Sequence, residues 1–261
     1  MPSLEPQRIG DHTIRAMEAS DFTSTLKLFE RIFQQSEPVA THLGLRPSAM
    51  KTMTDSSFYR TLVEDGLTAI VEHEPTNEIV GFRLAGDLAH QTAPGLQERF
   101  EQGVVQLMDR FPRMVSTLTA PFYTDLFELL AYNQLDHMNM DRWLCQHLPS
   151  EQGPLQRGMA VKMAGLGLLS EHRGRGFGGK LIAYVHQLAL RKGYRWSVVQ
   201  CTGRYSQQIF EKLNYTLYHE VEYDAFRFGG RRPLAGLKSV DGSRRERTAN
   251  GYYLDLQSLP A

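Results

Sequence analysis

Cysteine is nearly absent from this 261-residue chain: Cys145 and Cys201 lie far apart without CxxC spacing. A disulfide framework and a cysteine zinc site are therefore unsupported, and a reducing cytoplasmic compartment fits. Neither sign of charge is in excess, because 29 Lys plus Arg balance 29 Asp plus Glu. Without a global field, nucleic acid and anionic membrane are not the expected partners. No eighteen apolar residues run together, and the opening MPSLEPQRIGDHTIR has no apolar core of a leader, so membrane spanning and export lack support. The nine histidines form no HExxH and no close pair in sequence, so no metal is expected. Internal repeats are lacking as well.

What is present suits a soluble globular chain: 41% hydrophobic and 22% charged residues, with length for a sizeable core. After a polar arm over residues 1–12, residues 12–17 read as a strand. Phe22, Leu26, Phe29 and Phe33 then mark one face of an amphipathic helix. Pro38 disfavours helix for the residue before it, so that helix should end near Ser36 and Glu37 with the chain turning outward. A polar helix over 48–64 and a hairpin of 67–72 with 78–85 follow. Residues 95–150 read as a helical insert broken at Pro112 and Pro121, with faces carrying Val104, Met108 and Phe111, then Phe122, Leu126, Leu129 and Leu130. Beyond it come a strand over 158–169, a helix over 178–192 closed by Gly193, a strand over 195–201, a helix over 204–213, a strand over 217–226, a basic loop over 227–250 and a last strand over 252–256. Strands alternating with helices predict one α/β or α+β domain over 13–261, with a mixed central sheet.

The most informative context is Arg173-Gly174-Arg175-Gly176-Phe177-Gly178-Gly179-Lys180, between a strand and an amphipathic helix. A helix entry leaves backbone N–H groups unpaired and carries partial positive charge, so a glycine-rich approach with two arginines makes an anion site. Three phosphate motifs fit the string. Gly174, Gly176 and Gly179 match GxGxxG, but a dinucleotide fold wants an acid at the end of the next strand, where Gln200 and Cys201 stand. Gly174 to Lys180 match the start of a P-loop, but Leu181 replaces the hydroxyl that magnesium needs. The third motif, the coenzyme A pyrophosphate pattern Arg/Gln-x-x-Gly-x-Gly/Ala, is filled by Arg173, Gly176 and Gly178.

With Ile209 to Tyr215 downstream, this motif resembles the GNAT acetyltransferase superfamily. Two stretches are similar to the insect-type arylalkylamine N-acetyltransferases: Thr13 to Arg15 leading to Phe33-Gln34-Gln35-Ser36-Glu37-Pro38-Val39 with Leu43-Gly44-Leu45, and Cys201-Thr202-Gly203-Arg204-Tyr205-Ser206. The similarity covers 13–90 and 160–226 well and the helical middle poorly. It implies a mixed sheet whose fourth and fifth strands splay, with acetyl-CoA as cosubstrate and a small amine as acceptor. Gly165 and Gly167 fit a bulge at that split. The backbone of Leu166, Gly167 and Leu168 would hold pantetheine, with the Leu168 N–H near the acetyl carbonyl. The N–H groups of Arg173, Gly174, Arg175, Gly176, Phe177, Gly178 and Gly179 would receive the pyrophosphate.

Attack by an amine on a thioester needs a base for the ammonium and a means of neutralising the thiolate. The resemblance implies Glu37 as base; a carboxylate beside the negative end of a helix, partly buried, would also have a raised pKa. The acid is open: many relatives carry Tyr where Phe210 stands, so Ser206, Thr202 and Tyr205 are the candidate hydroxyls. Acylation of Cys201 with His219 as base is a further route, and unassisted departure of the thiolate another. Phe111, Phe122, Tyr123, Phe127, Tyr132 and Trp143 read as core that could roof the amine. A polyamine or agmatine acceptor, and a catalytically silent coenzyme-binding module, remain the alternatives; the oligomeric state is not legible.

Overall fold

The computed structural model describes residues 4–54, 57–92, 124–147 and 155–259. Within them, β-branched and aromatic runs pair into one eight-stranded sheet: β1 (Gln7–Ile9), β2 (His12–Ala16), β3 (Ala69–His73), β4 (Glu78–Asp87), β5 (Ala160–Leu168), β6 (Trp196–Cys201), β7 (Thr216–Glu222) and β8 (Thr248–Asp255). The order is β1-β2-β3-β4-β5-β6-β8-β7, antiparallel throughout except for the β5–β6 pair. The helices are α1 (Phe22–Ser36), α2 (Pro38–Leu43), α3 (Pro47–Thr54), α4 (Ser57–Arg60), α5 (Leu62–Asp65), α6 (Ala89–Thr92), α7 (Thr124–His147), α8 (Phe177–Arg191) and α9 (Arg204–Lys212). Among the described residues no helix is long and apolar enough to cross a membrane.

Side-chain alternation along the strands divides the core between two faces. Ile14, Val71, Ala85 and Val161 pack with Leu181, Val185 and Leu188 of α8. Ile70, Phe82 and Leu84 pack on the other side with Leu28, Phe29 and Ile32 of α1. Each of the larger side chains contributes about 1.5–3 kcal/mol on burial, so α1 and α8 are fixed walls on opposite faces of the sheet.

Between those walls the sheet splits. The β5–β6 ladder runs from Ala160–Trp196 to Met163–Val199 and stops. Strand β5 continues along β4 to the Leu168–Gly81 pair, while β6 continues along β8 to Cys201–Asn250. A bulge marks the parting: Leu84 pairs with Gly165 but Ala85 with Met163, which leaves Ala164 as the extra residue and bends β5 away. The neighbouring glycines serve packing. A Cβ on Gly167 would lie 2.6 Å from Phe82 Cζ, and one on Gly165 2.9 Å from Phe29 Cε2, so their absence lets the rings press on the strand.

Several expectations need correction. The polar arm is partly structured, because Gln7–Ile9 pairs with β2 as β1. The single polar helix expected over 48–64 is three short helices, α3 to α5, whose Ala49, Met50, Met53, Tyr59 and Leu62 are buried. The chain does not turn outward after Pro38; it enters α2. The basic loop is more than its charge: Phe228, Leu234 and Leu237, with Phe226 just before it, join a core cluster with Val39 of α2 and Leu130 and Leu135 of α7. Of the expected helical insert, α7 is described. Val104, Met108, Phe111, Pro112, Pro121, Phe122 and Tyr123 lie outside the described residues.

Candidate active site

A cleft of about 1050 Å³ passes through the split. On the α8 side its wall includes Leu166, Gly167 and Leu168, then Arg173, Gly174, Gly176, Phe177 and Gly178; on the α1 side it includes Glu37, and from beyond β6 it includes Thr202 and Ser206. Arg175 and Gly179 belong to the same loop but not to this wall. Gly174 and Gly176 have φ of 79° and 75°, a left-handed conformation that favours glycine and lets the loop curl into the start of α8. Gly176 is the N-cap, and Phe177 drops its ring into the core. The first-turn N–H groups therefore face outward without helical partners, as anion binding requires. Arg173 braces the loop: its Nε donates to the Leu168 carbonyl at 3.0 Å and its Nη2 to Ser36 Oγ at 3.3 Å. The Leu168 carbonyl is thus already engaged.

On the α1 side of the same cleft lies Glu37, 7% exposed. It closes α1 and also opens α2, where its carboxylate accepts the Ala40 N–H as the N-cap and Pro38 follows as the first helical residue. The start of α2 favours a negative charge there, which corrects the expectation of a purely unfavourable position. The second carboxylate oxygen accepts the Thr202 hydroxyl, 165 residues away in sequence. Burial pushes the Glu37 pKa up to about 7; the bonds from Thr202 and from the Ala40 and Val39 backbone oppose that rise, and the nearby Glu246 charge adds to it. Thr202 is no helix cap, since Gly203 holds that place for α9. Tyr223, deeply buried, donates its hydroxyl to the Thr202 carbonyl and fixes this strand end.

Ser206 faces the cleft with its hydroxyl bonded to the Gly203 carbonyl at 2.8 Å. Tyr205 is 70% exposed at the cleft rim. Phe210 is buried beneath. Burial pushes the Cys201 thiol up to about 12, so it is protonated at neutral pH and poorly suited to acylation.

Sequence reasoning missed two charged parts of the wall and, in an aromatic part, Tyr59; Tyr132 was already among the aromatics expected to roof the amine. Arg83, a lone cation within the apolar run of β4, lines the cleft and is 2% exposed. Glu246, a lone acid among Arg244, Arg245 and Arg247, is 5% exposed and accepts the Arg204 N–H at 2.9 Å. With Ser239, Val240 and Asp241 it brings the basic loop over the cleft. Phe33, Tyr59 and Tyr132 form an aromatic side, with Phe33 and Tyr132 edge to face at 5.9 Å. In Arg83 and Glu246 the signal was a charge of the wrong kind for its surroundings.

Behind the glycine loop the fold assembles histidines that are remote in sequence. Ligand atoms of Asp11, His12 and His73 lie within 4.8 Å of one another. His12 Nε2 lies 2.8 Å from His172 Nδ1, and Arg175 Nη1 donates to Asp11 at 3.3 Å. This network ties the loop to the β2 hairpin, and it places close together side chains whose spacing in the sequence showed no pair.

Comparison with known proteins agrees with this geometry. The family model described as FR47-like protein matches residues 155–223, the segment holding β5, the glycine loop, α8, β6 and α9. No curated protein matches the chain. Among solved structures, arylalkylamine N-acetyltransferase 2 from Aedes aegypti superposes with a TM-score of 0.66 at 14% identity, over 95% of this chain and 100% of that one. The Drosophila melanogaster polyamine N-acetyltransferase, which forms N-acetylagmatine, gives 0.63 at 18% identity over 94% and 100%. The chain is thus similar to the FR47-like family over residues 155–223, and its fold, with the glycine loop and the split sheet, resembles that of the insect arylalkylamine N-acetyltransferases.

Proposed function

We propose that residues 13–261 form one acetyltransferase domain that moves the acetyl group of acetyl-CoA to a small primary amine, an arylalkylamine such as dopamine, tyramine, tryptamine or serotonin. The observation that carries this reading is a buried carboxylate with a pKa of about 7 in the same cleft as an anion-binding helix entry. A base must be ionised near working pH and still hold a proton well, and a value near neutrality meets both demands. Glu37 takes a proton from the ammonium, directly or through water, and Thr202 holds the carboxylate in place. The free β5 edge from Leu166 to Leu168 lies along the pantetheine, with the Leu168 N–H polarising the thioester carbonyl, and the loop from Arg173 to Gly179 receives the pyrophosphate. Ser206 is the hydroxyl placed to return a proton to the departing sulfur. Phe33, Tyr59 and Tyr132 suit an aromatic acceptor.

A second reading, agmatine or a polyamine as acceptor, draws on Glu246 and Asp241, two more acids on the wall that could hold a second cationic end. Thiol release from acetyl-CoA with tyramine, dopamine, serotonin, agmatine and spermidine tests both, the acetylated product being confirmed by mass. Turnover with the aromatic amines supports the first reading, and preference for agmatine or spermidine the second. Bound acetyl-CoA without release from any of them would overturn both in favour of an acceptor outside this panel or a silent coenzyme-binding module.

A further inference from the structure

The cleft holds a buried cation for which the base chemistry has no use. Arg83 stands in the middle of β4, opposite Leu166 of β5. Its Nε donates to Met163 Sδ at 3.5 Å, at the residue where the β5–β6 ladder ends. Its guanidinium carbon lies 5.3 Å from the centre of the Phe210 ring, and its Nη2 is buried with no hydrogen-bond partner among the described residues. Among the described residues no carboxylate pairs with it. Glu37 is engaged by Thr202 and Ala40, and Glu246 by the Arg204 N–H. The titratable groups facing Arg83 are the Cys201 thiol, the Tyr215 phenol and His186, none of them an anion at neutral pH: burial raises the first two and pushes His186 down to about 4.

A buried charge without a partner is costly, and its removal from water pushes the Arg83 pKa down to about 10, which still leaves it charged at pH 7. Such a group is retained at low cost only where an anion arrives. The guanidinium lies over Phe210, on the wall of the channel that would hold the thioester.

We propose that Arg83 is the electrostatic partner of the departing coenzyme A thiolate, an inference that rests on the acetyl-transfer reading. The amine nitrogen bonds to the carbonyl carbon, the C–S bond breaks, and its electron pair stays on sulfur beside the guanidinium. The ammonium gives up one proton before attack and a second as the amide forms; one ends on the sulfur and the other in solvent. Arg83 need not donate a proton. It lowers the energy of the thiolate, and the absence of a phenol at position 210 is thereby compensated.

The test is the ionisation of coenzyme A bound to the wild-type protein, followed by thiolate ultraviolet absorbance against pH with the desulfo analogue complex as blank. The bound thiol should titrate roughly 1–3 units below the free one. Arg83→Met should abolish the shift and lower kcat by about 10- to 100-fold with little change in the dissociation constant of acetyl-CoA, while Arg83→Lys should keep part of both. A bound thiol titrating at the free value in the wild type overturns the proposal, and that result needs no variant to fold. Calorimetry with coenzyme A separates the two levels: failure to bind refutes the acetyl-transfer reading itself, whereas binding with an unshifted thiol refutes only the role of Arg83. An Arg83→Met protein whose kcat is intact but whose KM rises for carboxylate-bearing acceptors would also overturn it, because the guanidinium would then recognise the acceptor.

Discussion

The two sides of the cleft are built in different ways. The glycine loop is one continuous segment, exposed and basic, and what it presents is the backbone N–H groups that any helix entry offers. The base side is assembled from α2, the end of β6 and the basic loop, and its Glu37 and Glu246 are buried. An anion site can thus be local and tolerant, because the backbone supplies it. A tuned carboxylate needs burial, and burial needs distant segments to meet.

That contrast can be broken most sharply at Glu37. Glu37→Gln should cost on the order of 100-fold or more in kcat while leaving acetyl-CoA affinity nearly unchanged, as measured by steady-state kinetics and calorimetry. Its effect on stability should have the opposite sign. The folded-state pKa of about 7 lies above the ordinary glutamate value of 4.5, so the folded state holds a proton that the unfolded chain releases, and stability is lost as pH rises from 4.5 through 7. The glutamine variant escapes that loss and should be more stable at pH 8, by about 1–3 kcal/mol in denaturant melts. Equal stability would mean that Glu37 is less buried than the structure has it.

On the other side, Gly178 has room for a Cβ, with Ile209 and Leu166 at 3.6 and 3.7 Å. Gly178→Ala should therefore bind acetyl-CoA nearly as the parent does, whereas Gly178→Asp places a negative charge against the pyrophosphate and should weaken binding by about 10-fold or more. Comparable affinities for both variants would misplace the phosphate.

Smaller effects sharpen the picture. The activity should fall as pH drops through about 7, because Glu37 is then protonated. Thr202→Val removes a bond that holds the carboxyl pKa down, so this acidic limb should move up by about 1 unit in the pH profile of kcat/KM. An unmoved limb would assign it to another group. Ser206 is already bonded to the Gly203 carbonyl, and with Arg83 carrying the charge on sulfur, Ser206→Ala should slow kcat by less than about 10-fold. A larger loss would make the hydroxyl, and not the guanidinium, the main means of thiolate departure.

Legibility in the sequence follows the same division. The helix ended by Pro38, the hairpin of β3 and β4, and the run from β5 through α9 rest on short-range periodicity and turn chemistry, and their positions agree with the structure to within a few residues. The helices of 47–65 were misjudged because the segment is short and broken, so its buried faces show no sustained period. In the basic loop, arginine-rich composition concealed Phe228, Leu234 and Leu237, apolar residues spaced without strand or helix period. Glu37 was found for a reason only half right: the end of α1 was visible, but the start of α2 immediately after it was not.

The sequence alone determined the glycine loop proposed as the anion site, since Arg173 to Gly179 encode a conformation, a helix entry and a charge within seven residues, and these properties need no partner from elsewhere. It also determined the strand and helix order that brings the chain to that site. Only the tertiary structure decided what the other residues of the cleft are. Burial made the Glu37 carboxyl titrate near neutrality, Thr202 became its hydrogen-bond donor across 165 positions, and Arg83 became a buried charge without a counter-charge among the described residues. Desolvation and proximity are properties of an enclosed space, and no residue carries them until the chain has closed around it.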